Sequence, residues 1–318
     1  MKKNNKSNNS KNSRNQQSNS EIFLPLPKDT KQFFNYFKNN INFYYEFNYP
    51  IITKKNNKIE IKINREIKKY KFKKELIENI SKRIEQRLNI LKNNYQVNEF
   101  TAEIQNRMVI GLGSSHSQET SMTLHHIYGI PYIPGSAIKG VTRHWFILNH
   151  YYNTFSNINS INNFEKILEN LNLNNDIEIQ VKKFFKEKDN IDINISNIEK
   201  NKNIIQEYQS IFGTQNQKGK IIFLDAFPVD NINLKLDIMN VHYPDYYSKK
   251  EAPTDFQNPI PIYFLTLEKT KFKFFLLAKE KENDLLQKTK NYLLESLKEY
   301  GIGAKTSLGY GLFDNFIL

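Results

Sequence analysis

Cysteine is absent from all 318 residues, which excludes disulfides, thiolate metal sites and a cysteine nucleophile and agrees with a reducing compartment. Long apolar runs are missing too. None reaches the roughly 18 residues that a membrane-spanning helix needs, and the first residues lack the apolar core of a signal peptide. A cytoplasmic protein is therefore the expectation. Acidic residues are outnumbered, with 33 Asp and Glu against 46 Lys and Arg, for a formal net charge of +13. That balance favours anionic partners, nucleic acid foremost. Lys, Asn and Ile are also the residues that A/T-rich codons supply, so part of the basic surplus is compositional. Glycine is scarce, at 11 residues, and its placement is informative for that reason.

Five of those glycines, Gly111, Gly113, Gly129, Gly135 and Gly140, fall between Met108 and Arg143, and Gly301, Gly303, Gly309 and Gly311 crowd the C-terminus. Such clusters mark backbone that needs positive φ or the close approach of another group, often a phosphate. In GIGAKTSLGYG, Lys305, Thr306 and Ser307 sit in a loop between a helix and a strand. The loop offers N–H groups, two hydroxyls and an ammonium to an anion. It is no Walker A loop, because Lys305 follows Ala304 and precedes a strand. A tight connection without a ligand accounts for it equally well. In PGSAIKGVTR, Lys139 and Arg143 lie four residues apart on one helix face, with Gly135 and Ser136 at the helix N-terminus. Free N–H groups and the macrodipole can hold a phosphate there. The plain alternative is a capped helix with solvated basic residues.

His116, His125, His126 and His144 gather in or beside the first glycine segment, with Glu119. Neither HExxH nor a Cys/His array accompanies them, so no metal or other cofactor is expected. Acid–base cleavage of RNA by an imidazole is chemically open. No GxSxG elbow and no paired-carboxylate signature stands out.

Along the chain, residues 1–20 form a basic, Asn- and Ser-rich tail without acidic residues, expected to be disordered. Aromatics from Phe33 to Phe47 predict a helix from Asp29 or Thr30 to Tyr49. Residues 58–73 predict a strand or hairpin. Leu76, Ile77, Ile80, Ile84, Leu88 and Leu91 recur at helical spacing, with Lys82, Arg83 and Arg87 on the polar side. A strand from Phe100 to Leu112 leads into the first glycine turn, and Pro134, Gly135 and Ser136 stop the chain and cap a helix from about Ala137 to His150. The Asn-rich stretch 153–206 shows weak helical periodicity. Strands are predicted over 220–227, 234–241, 261–267 and 271–278, a helix over 285–300 ending at Gly301, and a last strand over 308–316. The order fits an α+β, ferredoxin-like βαββαβ domain. The predicted division is a tail over 1–20, a mainly helical extension over 21–99, and the ferredoxin-like domain over 100–318, with a helical insertion at about 151–207.

The runs GLGSSHSQET, LHHIYGIPYIPGSAIKGVTR, FGTQNQKGKIIFLDAFP, LDIMNVHYPDYY, PTDFQNPIPIYFLTL and GIGAKTSLGYGLF, in that order, resemble the RAMP superfamily of CRISPR proteins. Within it they are similar to the sixth-subunit family of the type III-B Cmr effector complex. The resemblance covers about residues 104–150 and 208–316. It implies an RRM-like RAMP fold in a cytoplasmic ribonucleoprotein of antiviral defence, and a non-catalytic subunit near the 3′ part of the CRISPR RNA. The implied partners are that RNA, target RNA, and other Cmr subunits: the backbone RAMP, the small helical subunit and a neighbouring head RAMP subunit. Carried over by position, the RNA-facing residues are His116, Gly135, Ser136, Lys139, Arg143, Gly301, Gly303, Lys305, Thr306, Ser307, Gly309 and Tyr310. Asp245, Tyr246 and Tyr247 fall in an insertion able to reach RNA or a neighbour. Two glycine loops on adjacent edges of one sheet would form a basic cleft for single-stranded RNA, gripping mainly phosphate and sugar. The enzyme rival within the superfamily is a metal-independent endoribonuclease using His116 or His144, with Lys139 assisting. A structural adaptor with compositional charge is the third possibility.

Overall fold

The computed structural model describes residues 21–23, 32, 42–48, 51–55, 58–62, 65–116, 120–155, 158, 160–185, 195–241, 249, 252 and 260–318. The basic tail, Glu119 and the Asp245–Tyr247 segment lie outside these residues, and so does most of the helix expected after Thr30. What is described of that helix is α1, Phe43–Asn48, whose first turn is closed by Asn42 Oδ1 accepting the Tyr44 N–H at 2.9 Å. The extension contains a sheet as well as helices: β1 (Glu21–Phe23), β2 (Ile51–Lys55) and β3 (Lys58–Lys62) pair antiparallel in that order.

The amphipathic pattern after residue 73 forms α2, Lys74–Leu91. Ile77, Ile80 and Leu88 are buried, and Lys82, Arg83 and Arg87 are exposed, as the period of 3.6 requires. The long strand expected from Phe100 breaks at Gln105–Asn106. Its first part is β4 (Gln96–Ile104) and its second is β5 (Arg107–Met108), in a different sheet. The helix after the first glycine cluster is α3, Gly135–Thr154. Its N-cap position is Pro134, which supplies no side-chain bond, so Ser136 is not the cap.

The Asn-rich stretch is helical: α4 (Ile161–Asn170), α5 (Ile177–Phe184), α6 (Ile195–Lys200) and α7 (Lys202–Phe212). Its sparse apolar residues are spaced to one side. Phe164, Ile167, Leu168, Ile205, Tyr208 and Ile211 are buried and continuous with the main core.

The remaining strands are β6 (Ile222–Phe223), β7 (Phe227–Pro228), β8 (Asn233–Val241), β9 (Ile260–Glu268), β10 (Lys271–Ala278) and β11 (Phe313–Ile317). Between β10 and β11 lies α8, Asn283–Glu295, continued by a π turn, Ser296–Tyr300, that ends at Gly301 with φ +78°. The central sheet runs β11-β4-β10-β6, all antiparallel, with β4 and β10 in register from Gln96↔Ala278 to Glu103↔Lys271. With α3 after the first strand and α8 after the third, the core reads βαββαβ. The final strand starts later than expected, because Thr306–Leu308 make a 3-10 turn.

Alternation along β10 explains how the sheet is used. Phe272, Phe274 and Leu276 join the core shared with Ile138, Phe146, Leu286 and Leu293 of α3 and α8. Phe275 and Leu277, on the other face, pack with Leu88, Ile84 and Leu91 of α2. A strand covered on both faces reads as a nearly continuous apolar run, which is what KFKFFLLA is. The third sheet, β5-β9-β8, is a long hairpin in register from Asn233↔Glu268 to Val241↔Ile260, with β5 added to its outer side.

Candidate functional site

The two glycine clusters meet. Ala304 donates its N–H to the Val109 carbonyl at 2.9 Å, Gly311 donates to the Arg107 carbonyl at 2.7 Å, and Ile302 donates to the Gly311 carbonyl at 2.9 Å. A Cβ on Gly303 (φ +105°) would lie 2.4 Å from the Val109 oxygen, and one on Gly311 (φ +75°) 2.0 Å from the Ile302 oxygen. At these two positions the group that approaches the glycine is the chain's own carbonyl. Gly309 differs: its φ is +83°, and no atom lies within 4 Å of a Cβ built there. Lys305 is itself left-handed at φ +62°, and its Nζ stands 5.3 Å from the centroid of the Phe264 ring. Gly303 and Ser307 are exposed, while Lys305, Thr306, Gly309 and Tyr310 are half-exposed and Gly301 is buried. The outcome is a rigid loop with its tip in solvent.

Beside the loop opens a cavity of about 410 Å³ lined by Arg107, Asp237, Glu268, Lys269, Gly309 and Tyr310 among others. Arg107 Nη1 donates to Asp237 Oδ2 at 2.5 Å, and its Nε lies 3.6 Å from Glu268 Oε1. The Tyr310 hydroxyl donates to the same Asp237 oxygen at 2.5 Å. Burial pushes the Asp237 carboxyl up, but hydrogen bonds from Tyr310, Arg107 and the Ile238 N–H outweigh it and hold the group below its usual range. Burial and the bond to Asp237 raise the Tyr310 phenol. Arg107 and Asp237 escape sequence reasoning, because 130 residues separate them and nothing local links them.

The α3 segment is arranged differently from the expectation. The Gly135 N–H donates to Asp225 Oδ1 at 2.7 Å, so a protein carboxylate already occupies the helix end where a phosphate is expected. A Cβ on Gly135 would sit 2.4 Å from the Phe223 carbonyl oxygen, which places this end at the β6 edge of the central sheet. The C-terminal glycine loop leads into β11, the opposite edge. The two loops therefore do not line one cleft on adjacent edges. Lys139 and Arg143 do share a face, but that face turns toward the insertion. Lys139 Nζ donates to the Phe212 carbonyl at 2.7 Å. Arg143 donates to the Tyr208 hydroxyl at 2.6 Å, to Glu169 at 2.5 Å and to Glu165. Burial, with Arg143 nearby, lowers the Lys139 amine, and burial pushes the Tyr208 phenol up to about 12. Ser136 remains exposed.

The histidines are dispersed. His116 Nε2 lies 3.1 Å from Asn48 Oδ1 and its ring stacks on Phe47 at 4.5 Å; burial pulls its pKa below the ordinary imidazole value. His144 packs on Tyr300, and His125 lies among Tyr128, Tyr132 and Phe227. Among the described residues no group of three His, Asp or Glu side chains is placed to hold a metal ion.

Comparison with known proteins places these features in a wider setting. The family model described as the RAMP superfamily matches residues 101–314. CRISPR system Cmr subunit Cmr6 of Pyrococcus furiosus is 37% identical over 238 residues, covering 67% of this chain and 66% of that protein. The Cmr6 subunit of Saccharolobus solfataricus is 28% identical over 111 residues, 34% of this chain and 37% of that protein. The matched part thus spans less than two thirds of either relative. Among solved structures, a chain of the type III-B Cmr-beta complex bound to cognate target RNA aligns with a TM-score of 0.48 at 21% identity, covering 77% of this chain and 66% of that one. The crystal structure of Cmr6 from Pyrococcus furiosus aligns with a TM-score of 0.42 at 34% identity, covering 69% of this chain and 97% of that one.

Proposed function

The chain belongs to the RAMP superfamily, and from that premise we propose that it is the sixth-subunit component of a type III-B CRISPR effector. In this reading it binds CRISPR RNA near its 3′ part and, through the guide, target RNA. It packs against the backbone RAMP, the small helical subunit and a neighbouring head subunit, in the cytoplasm. The observation that carries the proposal is the 37% identity over 238 residues to a protein named as that subunit. The net charge of +13 suits a polyanionic partner. No helix among the described residues is long and apolar enough to cross a membrane.

The geometry favours one part of the carried-over residue set for RNA contact. Lys305, Thr306, Ser307 and Gly309 form the tip that faces solvent, and backbone N–H groups, hydroxyls and an ammonium there suit phosphate and sugar, while Gly303 backs onto the Val109 carbonyl and the Tyr310 hydroxyl is given to Asp237. Gly135, Lys139, Arg143 and Gly301 have internal partners or burial that give them a positioning role, and His116 ties the first glycine segment to α1. RNA does not lie across the central sheet in the manner of an open RRM platform, because α2 covers Phe275 and Leu277. A binding role is also favoured over cleavage: His116 and Lys139 are held by different elements, α1 and α7 respectively, rather than converging on one scissile phosphate.

The test is to purify the tagged chain under mild conditions from cells expressing its neighbouring genes and to sequence the accompanying RNA. Short RNAs with a shared repeat-derived 5′ end, together with several protein partners, are expected. A chain that emerges alone and free of RNA sinks the assignment. Metal-independent cleavage of repeat RNA that disappears in His116→Ala would replace it with the endoribonuclease.

A further inference from the structure

The segment from Leu124 to Ile133 is fixed by its own backbone. Leu124 bridges Pro131 and Ile133 bridges Ala226; the His125 N–H donates to Ile130 at 2.8 Å, and the Gly129 N–H to His125 at 2.6 Å. Leu124, Ile130, Pro131 and Ile133 are buried, and Tyr128 and Phe227 pack partly buried against the same core. The rings above these anchors are ordered as well. His125 stacks on Tyr128 (4.4 Å between centroids, 18°) and lies parallel to His126 (5.3 Å, 8°). Tyr132 stacks on Phe227 (5.8 Å, 17°), with His125 edge-on to Tyr132 at 5.4 Å. His126 is exposed, and the other four are half-buried.

We propose that this ring cluster is a stacking platform for an unpaired nucleobase of the bound RNA, with His126 as its outermost plane. The inference rests on the RNA-binding reading above and adds a site to it. A parallel set of rings ending in an exposed one presents a flat π surface, and every base has a π face to lay on it, so such a platform is tolerant of sequence. Because the loop is already rigid, little ordering entropy opposes binding. The charge beside it distinguishes base from backbone. Asp225 is exposed and its carboxylate, engaged with the Gly135 N–H, repels phosphate while it can accept a bond from a base amine or a 2′-hydroxyl. Phosphates are left to the basic C-terminal loop at the other edge of the sheet.

The experiment is photo-crosslinking of the full-length chain to a single-stranded RNA carrying 5-iodouridine, followed by mass-spectrometric mapping. A crosslink within residues 124–133 is expected. It should fall on the order of tenfold in His126→Ala, the loss of one base–ring stack, and persist in His126→Phe, which restores a ring. His126 is exposed, so neither variant threatens the fold. Crosslinks in residues 301–311 with none in 124–133 would overturn the platform and leave the RNA-binding reading standing. A crosslink in 124–133 that is indifferent to His126→Ala also overturns it. No crosslink anywhere would remove the RNA-binding reading, and the platform with it.

Discussion

Arg143→Leu separates a structural role from an RNA-binding one, since the two predict opposite readouts. In the folded chain the guanidinium bonds the Tyr208 hydroxyl on α7 and Glu165 and Glu169 on α4. The Arg143 side chain is 28% exposed, Glu165 34% and Glu169 41%. At that exposure solvent screens each ion pair to about 0.5–1 kcal/mol rather than the larger value of a dry pair. Tyr208 is 1% exposed, so depriving its hydroxyl of a partner costs about 1 kcal/mol more. Leu preserves much of the stem's packing, and the total is about 2–3 kcal/mol. For 318 residues unfolding as one unit, 1 kcal/mol corresponds to about 1.5 °C in Tm, which gives a drop of about 3–5 °C by calorimetry. A double-mutant cycle with Glu165→Gln should return a coupling of about 0.5–1 kcal/mol. Affinity for single-stranded RNA, measured well below either Tm, should be unchanged, and so should its dependence on salt. An unaltered Tm with weakened RNA binding, and a log–log salt slope shallower by about 0.7, would refute this reasoning and return Arg143 to the RNA surface.

The converse holds for Lys305→Gly. Glycine relieves the left-handed strain but adds chain entropy, so stability should stay within about 1 kcal/mol, while the salt slope for RNA falls by about 0.7 if the ammonium contacts one phosphate; an unchanged slope would exclude the contact. Gly311→Ala should cost about 3 kcal/mol or more, combining left-handed strain with an overpacked backbone, whereas Gly309→Ala should cost about 1 kcal/mol. Equal Tm shifts for the pair would show that the interlocked loops are not as close as described. Asp237→Asn tests the Arg107–Asp237–Tyr310 cluster through pH. A carboxyl whose folded pKa lies below its unfolded value stabilises fully above the unfolded value of about 3.9 and loses that stabilisation as pH falls through the folded one. The stability gap between wild type and variant, about 1 kcal/mol, should therefore be constant from pH 5 to 7 and close below about pH 4. Urea titrations at pH 3, 5 and 7 measure it, and a gap that persists at pH 3 or closes near pH 6 contradicts the assignment.

The parts of the fold that local patterns reveal are those whose burial is decided locally. α2 is legible because Ile77, Ile80 and Leu88 recur on one side, α8 because its last turn meets Gly301 at φ +78°, and β10 because a strand covered on both faces cannot alternate. The break at Gln105–Asn106 is not legible, since Met108 is as apolar in the third sheet as it would be in the central one. Glycine placement carries a subtler ambiguity. A residue without Cβ announces that something comes close, and the local sequence is the same whether that is a phosphate oxygen or a carbonyl. At Gly303 and Gly311 it is the carbonyls of Val109 and Ile302; Gly309, in the same loop, keeps open space.

The same ambiguity governs Lys139 and Arg143. Spacing of four residues puts them on one face of α3, but whether that face meets solvent depends on α4 and α7, drawn from the stretch whose Asn-rich composition hides Phe164, Ile167, Leu168 and Tyr208. A basic residue's availability to RNA is thus a long-range property, settled by whichever acceptor the fold delivers first. At α3, Glu165 and Glu169 take up Arg143, the Phe212 carbonyl holds Lys139 and Asp225 accepts the Gly135 N–H; at the C-terminal loop Lys305 meets the ring of Phe264, a contact that leaves its N–H donors to other acceptors. That difference, rather than the number of basic residues in either motif, is why we propose phosphate contact at the loop before β11 and not at the start of α3.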